Sequence, residues 1–184
     1  MKKLVMTLVS VLMASASFAA VDIQKSSDFP AAIGKLAIAP LPCSEDVNCV
    51  RVEKHLNKSV SKHFPATVVG SDRVKQALFD MSVVEHTRET VIDAARQLGC
   101  DAVLFPSILG SERKDNWNVW TEYDTGKVHQ SEADSVASSV LVIIMDLDGK
   151  LLMKGQATGE SYLQTDQTLF AETQIDKILR KALN

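Results

Sequence analysis

Four histidines, three cysteines and 23 carboxylates are the groups in this chain able to hold a metal or to move protons. His55 and His63 sit eight positions apart, about 12 Å along a helix, too far to share one ion. His86 and His129 stand alone in sequence. There is no H-E-x-x-H and no G-x-S-x-G. The run "DLDGK" (146 to 150) has the first spaced carboxylates of a calcium loop but not the rest, and reads as a hairpin turn. The carboxylates are scattered, and none can be singled out as an acid and base pair. No catalytic, cofactor-binding or metal-ligating residue is therefore assigned, and no cofactor is expected. "NKS" (57 to 59) is a glycosylation sequon, but it falls inside a helical pattern.

The cysteines remain. Cys43 and Cys49 lie six positions apart in "IAPLPCSEDVNCV". C-x5-C has neither a structural-zinc spacing nor a second ligand pair, and a thioredoxin-like site would need C-x-x-C. The compartment decides. The chain opens "MKKLVMTLVSVLMASASFAA". Lys2 and Lys3 form a basic start, Leu4 to Met13 an apolar run too short to span a bilayer, and Ser17 and Ala19 the small residues of a cleavage site. Residues 1–19 are expected to be a signal peptide and 20–184 a single α/β domain. Cys43 stands more than twenty residues past the cleavage point, so it is not a lipoprotein anchor. An exported chain meets oxidising conditions, which leaves a structural Cys43–Cys49 disulfide as the expectation. A helix capped at Asp46 would place Cys49 in the first turn, within reach of a folded-back loop. Cys100, between Gly99 and "DAVLF", reads as a small buried hydrophobe.

One cluster could bind a partner. Trp117, Trp120 and Tyr123 hold both tryptophans and one of the two tyrosines within seven residues of polar sequence. On a strand, Trp117 and Tyr123 would share a face and Trp120 would take the other. Aromatics of this kind either pack across strands or form a contact surface, where Trp and Tyr are enriched.

The elements that must position these residues follow from periodicity. "GKLAIAPLP" (34 to 42) is a buried strand bounded by Gly and Pro. Val52, Leu56, Val60 and Phe64 mark a helix over 47 to 63, stopped by Pro65. "ATVVG" is a short strand, and Ser71 can cap a helix carrying Val74, Leu78 and Met81. A helix from Thr87 to Leu98 ends at Gly99, suited to a left-handed cap. "DAVLFPSILG" is a strand in which Pro106 requires an edge or bulge. The polar aromatic stretch after it is part strand and part loop. "SVASSVLVIIMDLDGKLLMKGQATGES" is a hairpin turning at Asp148-Gly149. Ala171, Ile175, Ile178, Leu179 and Ala182 line a final helix from about Thr165 to Leu183. The order β-α-β-α-α-β, a meander, then α predicts an α/β fold with a mixed, mostly antiparallel sheet and helices packed on it.

This succession resembles a known periplasmic domain. "GKLAIAPLP", "ATVVGSDRVKQAL", "ARQLGCDAVLFPSILG" and "VLVIIMDLDGKLLMKGQA" are similar to the amino-terminal domain of TolB, to CsgG and to LpoB-type activators. "LGCDAVL" is the most specific element. The resemblance implies an envelope protein that binds other proteins and has no catalytic centre. The chain departs from the CsgG and LpoB types in lacking their lipidation cysteine and in carrying the Cys43/Cys49 pair.

Charge agrees with that direction. The formal net charge is −3, and removal of the leader with its two lysines makes it −5. No basic stripe suited to nucleic acid shows in the sequence, and no later segment is apolar enough for a transmembrane helix. The sequence therefore reads as a periplasmic, non-enzymatic accessory protein that binds another envelope protein. A multimeric subunit of an outer-membrane-associated assembly is the alternative, and a hydrolase with a dispersed site comes third.

Overall fold

A computed structural model describes residues 19–42, 47–121, 128–161 and 166–183. Its elements are β1 (Ala19–Lys25), β2 (Lys35–Ile38), α1 (Cys49–His63), β3 (Thr67–Val69), α2 (Ser71–Asp80), α3 (Arg88–Gln97), β4 (Ala102–Thr121), β5 (Val128–Asp146), β6 (Leu151–Ser161) and α4 (Gln167–Leu183). The strands form one mixed sheet in the order β1-β6-β5-β4-β2-β3. β2 runs parallel to β3 and β4, and the other pairings are antiparallel. This is the α/β architecture that the periodicities predict, with one strand added at the amino-terminal edge.

Two apolar layers hold the helices to the sheet. On one face α1 and α4 cover it. Val52, Leu56 and Val60 of α1 and Ile175, Ile178 and Leu179 of α4 share one buried cluster with Leu36, Ile38, Leu104, Val140, Val142, Ile144 and Met153 of the sheet. On the other face α2 and α3 bury Val74, Leu78, Val91 and Ala94 against Ala37, Ala39 and Val103. The stripes expected from sequence for the first and last helices are thus the buried faces of α1 and α4. Gly155 in β6 lies under α4, where a β-carbon would come 2.4 Å from Ile178 Cγ2. The helix rests on the space that this glycine leaves.

The "LGCDAVL" segment has a local physical explanation. α3 ends in Leu98, and Gly99 follows at φ +65, the left-handed position that glycine adopts without strain. Cys100 is buried beside it. The Asp101 carboxylate accepts the backbone N–H groups of Gly34 and Lys35 at 3.0 and 2.8 Å. The chain leaving α3 is thereby tied to the start of β2, and this sets β2 and β4 in parallel register.

Several local expectations are corrected. The α1 cap is Asn48, whose side chain accepts from Arg51 N, rather than Asp46. Cys49 is therefore the first helical residue. Ser71 is the first residue of α2 rather than its cap, and Gly70 takes the cap position without a side-chain bond. The carboxamide of Asn57 on α1 serves instead: Oδ1 accepts from Ser71 N and Nδ2 donates to Ser71 Oγ. This sequon asparagine is occupied in joining two helices. The β5–β6 turn is longer than two residues. Asp146 accepts the N–H groups of Asp148 and Lys150 on one carboxylate oxygen, Gly149 takes φ +84, and the register shifts between Ile144 and Met145. Pro106 pairs with Val142 just beyond the point where β2 ends, so β4 has a local edge there.

Candidate interaction surface

The aromatic segment lies on an extension of the sheet. β5 pairs with β6 only as far as Val136 opposite Ser161. β2 accompanies β4 only over Ala102–Leu104. From Lys114 opposite Ser135 to Thr121 opposite Val128, β4 and β5 pair only with each other among the described residues. At about 3.4 Å per residue this two-stranded arm extends roughly 27 Å. Its direction is set by α4. Gln174 donates to the Ser138 carbonyl and Ile178 lies by Gly155, which pairs with Val142, so the helix and β5 advance together. The arm therefore leaves past the amino-terminal end of α4. Before the arm begins, a bulge in β4 between Ile108 and Gly110 leaves Leu109 exposed.

The structure places Trp117 opposite Glu132 and Trp120 opposite His129 on this arm. Tyr123 lies outside the described residues. The sequence expectation of part strand and part loop is corrected to strand through Thr121. Alternation and turn residues gave no sign that the hairpin would outrun the rest of the sheet.

The cysteines are partly described. Cys43 lies outside the described residues, and Cys49 is buried at the start of α1. Cys100 carries a free, buried thiol, and burial pushes its pKa up despite Lys35 nearby. His55 and His63 fall on α1, and no cluster of metal-binding side chains is found among the described residues. His55 Nε2 instead lies 3.0 Å from Asp176 Oδ1, and Ser59 Oγ donates to the same oxygen. Burial alone would raise the Asp176 carboxyl, but hydrogen bonds from Ser59 and His55 outweigh it and hold the group below the usual carboxylate range. Arg51 joins the same α1–α4 seam through Glu172 at 3.0 Å and Asp166 at 3.2 Å.

Two features were missed by sequence reasoning. The first is an open groove of about 330 Å³ at the carboxyl end of β2, where crossovers leave to opposite sides of the sheet. Ala39–Pro42, Arg88, Phe105 and Ile143 line it, and the Arg88 guanidinium stands 6.0 Å from the Phe105 ring centre. The second is Glu53, a buried carboxylate on α1. It accepts Leu41 N at 2.7 Å and meets Lys75 Nζ, so it pins the groove wall to α1 and α2. Its position within an amphipathic helix gave no hint of burial.

No family model matches the chain, and no curated protein sequence does. Solved structures do match. PelC from Paraburkholderia phytofirmans, solved as a dodecamer, is 12% identical with a TM-score of 0.54; the match covers 90% of this chain and 98% of that one. The chain shares its fold with PelC. A lipoprotein from Neisseria meningitidis is 11% identical, covered over 80% of this chain and 96% of its own, with a TM-score of 0.51. At such identities the likeness is one of fold. No helix among the described residues is long and apolar enough to cross a membrane.

Proposed function

We propose that this chain is an exported, non-enzymatic accessory protein of the cell envelope whose working form is an assembly of its own copies, presented to another envelope protein. The observation that carries the reading is the match over nearly the whole of a PelC chain that is itself part of a dodecamer. The lipoprotein neighbour and the sequence resemblance to TolB, CsgG and LpoB types point the same way. So does the arm: an isolated two-stranded ribbon is marginally stable in water, so a long one is economical only where something else covers it. Export rests on residues 1–19. Cleavage after Ala19 leaves β1 intact from Ala20 onward, still paired with Thr158.

Light scattering on the purified periplasmic protein tests the assembly. A mass several times that of the chain is expected, and a monomer across the micromolar range would refute it. Intact mass tests export, with a chain beginning at Ala20 expected and one beginning at Met1 contradicting it. Turnover of generic ester, phosphate or peptide substrates by a metal-free sample would overturn the non-enzymatic assignment.

A further inference from the structure

The chain is acidic, yet the fold assembles one basic face from two helices far apart in sequence. α1 and α4 together carry seven Lys and Arg against three carboxylates, +4 in a chain of net −3, which leaves −7 on everything else. Lys54, Lys58 and Lys62 recur every fourth residue on α1 and are all exposed. Each such step turns about 40°. The row therefore slants toward the side of α1 that holds Arg51, His55 and Ser59 against α4. On α4 itself Arg180 is exposed and Lys177 half-buried.

The three carboxylates are already engaged. Arg51, His55 and Ser59 hold Glu172 and Asp176 within the seam, and Glu53 is buried with Leu41 N and Lys75. Lys54, Lys58, Lys62 and Lys177 form no ion pair among the described residues, and Arg180 acts on Asp176 only through space. Cations in the last turn of a helix answer its dipole, which accounts for Lys62 and Arg180. It does not account for Lys54, Lys58 or Lys177, which stand earlier.

We propose that the α1/α4 face docks on a phospholipid bilayer surface bearing anionic headgroups. A cluster of about four to eight Lys and Arg on a helical surface is what holds such headgroups. Lysine dominates here, and its ammonium is a point charge that neutralises phosphate without a shaped partner. Protein contacts are built otherwise, with centres depleted in Lys and anchored by Trp, Tyr and Arg. Phe170, the one Phe, Tyr or Trp of the two helices, is buried. Two aliphatic side chains, Val50 and Leu169, are exposed at the amino ends of α1 and α4. They suit the apolar boundary beneath a headgroup layer. The negative remainder of the molecule orients it, since an anionic surface repels that part while attracting the face. The choice of lipid over nucleic acid rests on the proposed export, which intact mass tests on its own, and the docking does not require self-assembly.

Vesicle sedimentation with the purified periplasmic protein tests the proposal. Binding is expected to vesicles of phosphatidylglycerol with phosphatidylcholine and not to phosphatidylcholine alone, with release as sodium chloride rises from about 0.05 to 0.5 M. Sodium phosphate at equal ionic strength should release no more protein than chloride does. Each cation near such a surface strengthens binding about fivefold, so Lys54→Gln, Lys58→Gln and Lys62→Gln together should weaken it about 100-fold, and Lys177→Gln with Arg180→Gln about 25-fold. Circular dichroism confirms that each variant is folded. Arg73→Gln with Arg88→Gln removes two charges from α2 and α3, across the sheet, and should leave binding unchanged. A wild type that ignores phosphatidylglycerol vesicles refutes the docking. Equal loss in the Arg73 and Arg88 control reduces the attraction to net charge and overturns the face. Selective release by phosphate would make the cations discrete anion sites and overturn the surface. Normal vesicle binding by the triple lysine variant also overturns it, and if that variant instead loses capture of an envelope protein or changes its mass in light scattering, the face belongs to a protein contact.

Discussion

Glu53 offers the sharpest test of how the groove wall is held. Its side chain is only 9% exposed, and its two oxygens do different work. Oε1 accepts the buried Leu41 N–H, and Oε2 meets Lys75, whose side chain is 42% exposed. A hydrogen bond to a charged group contributes about 1.5–3 kcal/mol, and a buried N–H left without a partner costs about 1–3 kcal/mol. The ion pair is worth less, about 1 kcal/mol or below, because solvent screens the Lys75 end. Glu53→Gln keeps an acceptor for Leu41 and removes the charge, so it should cost about 1 kcal/mol. Glu53→Ala removes both and leaves a small void, so about 3 kcal/mol is expected. Urea denaturation with unchanged m-value measures the two against wild type. Exchange of the Leu41 amide gives the local reading: it should accelerate strongly in the Ala variant and little in the Gln variant. Equal losses for the two variants would refute the reasoning, since the charge and not the Leu41 bond would then be holding the wall.

Other expectations follow from the same structure. Gly155→Ala should destabilise by about 1–3 kcal/mol through overpacking against Ile178, and Ile178→Ala should relieve it, with the double variant less destabilised than the sum of the singles by denaturant titration. Thiol counting in denaturant should find one free thiol, that of Cys100; replacing Cys43 and Cys49 by Ser should cost about 2 kcal/mol, and three free thiols in non-reduced material would rule out the pairing. Because the folded Asp176 carboxyl is depressed, its contribution is complete above the unfolded value near 3.9 and is lost as pH falls through the lower folded value. Below about pH 4 the wild type should therefore lose stability more steeply than Asp176→Asn, as acid titration of the fold will measure. Trp120→Ala should leave the denaturation midpoint nearly unchanged and weaken capture of the partner; a loss of about 3–5 kcal/mol with capture intact would return the residue to the core.

The helices were legible because burial writes itself as a repeat. Val52, Leu56 and Val60 on α1, and Ile175, Ile178 and Leu179 on α4, are buried as their spacing requires. Gly99 was legible because only a left-handed position explains it there. What stayed hidden depends on partners distant in sequence. β1 has no run of its own that stands out beside the leader, and exists through pairing with β6. The cap of α2 comes from Asn57, in another helix. Local reasoning assigns caps to the nearest polar side chain, so it chose Asp46 and Ser71 and was wrong at both. The aromatic cluster was visible as a composition, but the arm that carries it reflects where β6 and β2 stop, which nothing within residues 114–135 records.

If the chain is exported as proposed, the edge strand β1 has a consequence for the order of events. It opens the folded chain, yet it pairs with β6, and Lys181 Nζ reaches across to the Val21 carbonyl at 2.6 Å. The first and last segments of the domain thus close on each other. A chain threaded through a narrow channel from its amino end delivers β1 early and α4 last. Until β6 arrives β1 has no strand to join, and until α4 arrives the apolar face of Val140, Val142, Ile144 and Met153 has no cover. In a chain exported as proposed, such a topology would complete itself only once its last helix had crossed.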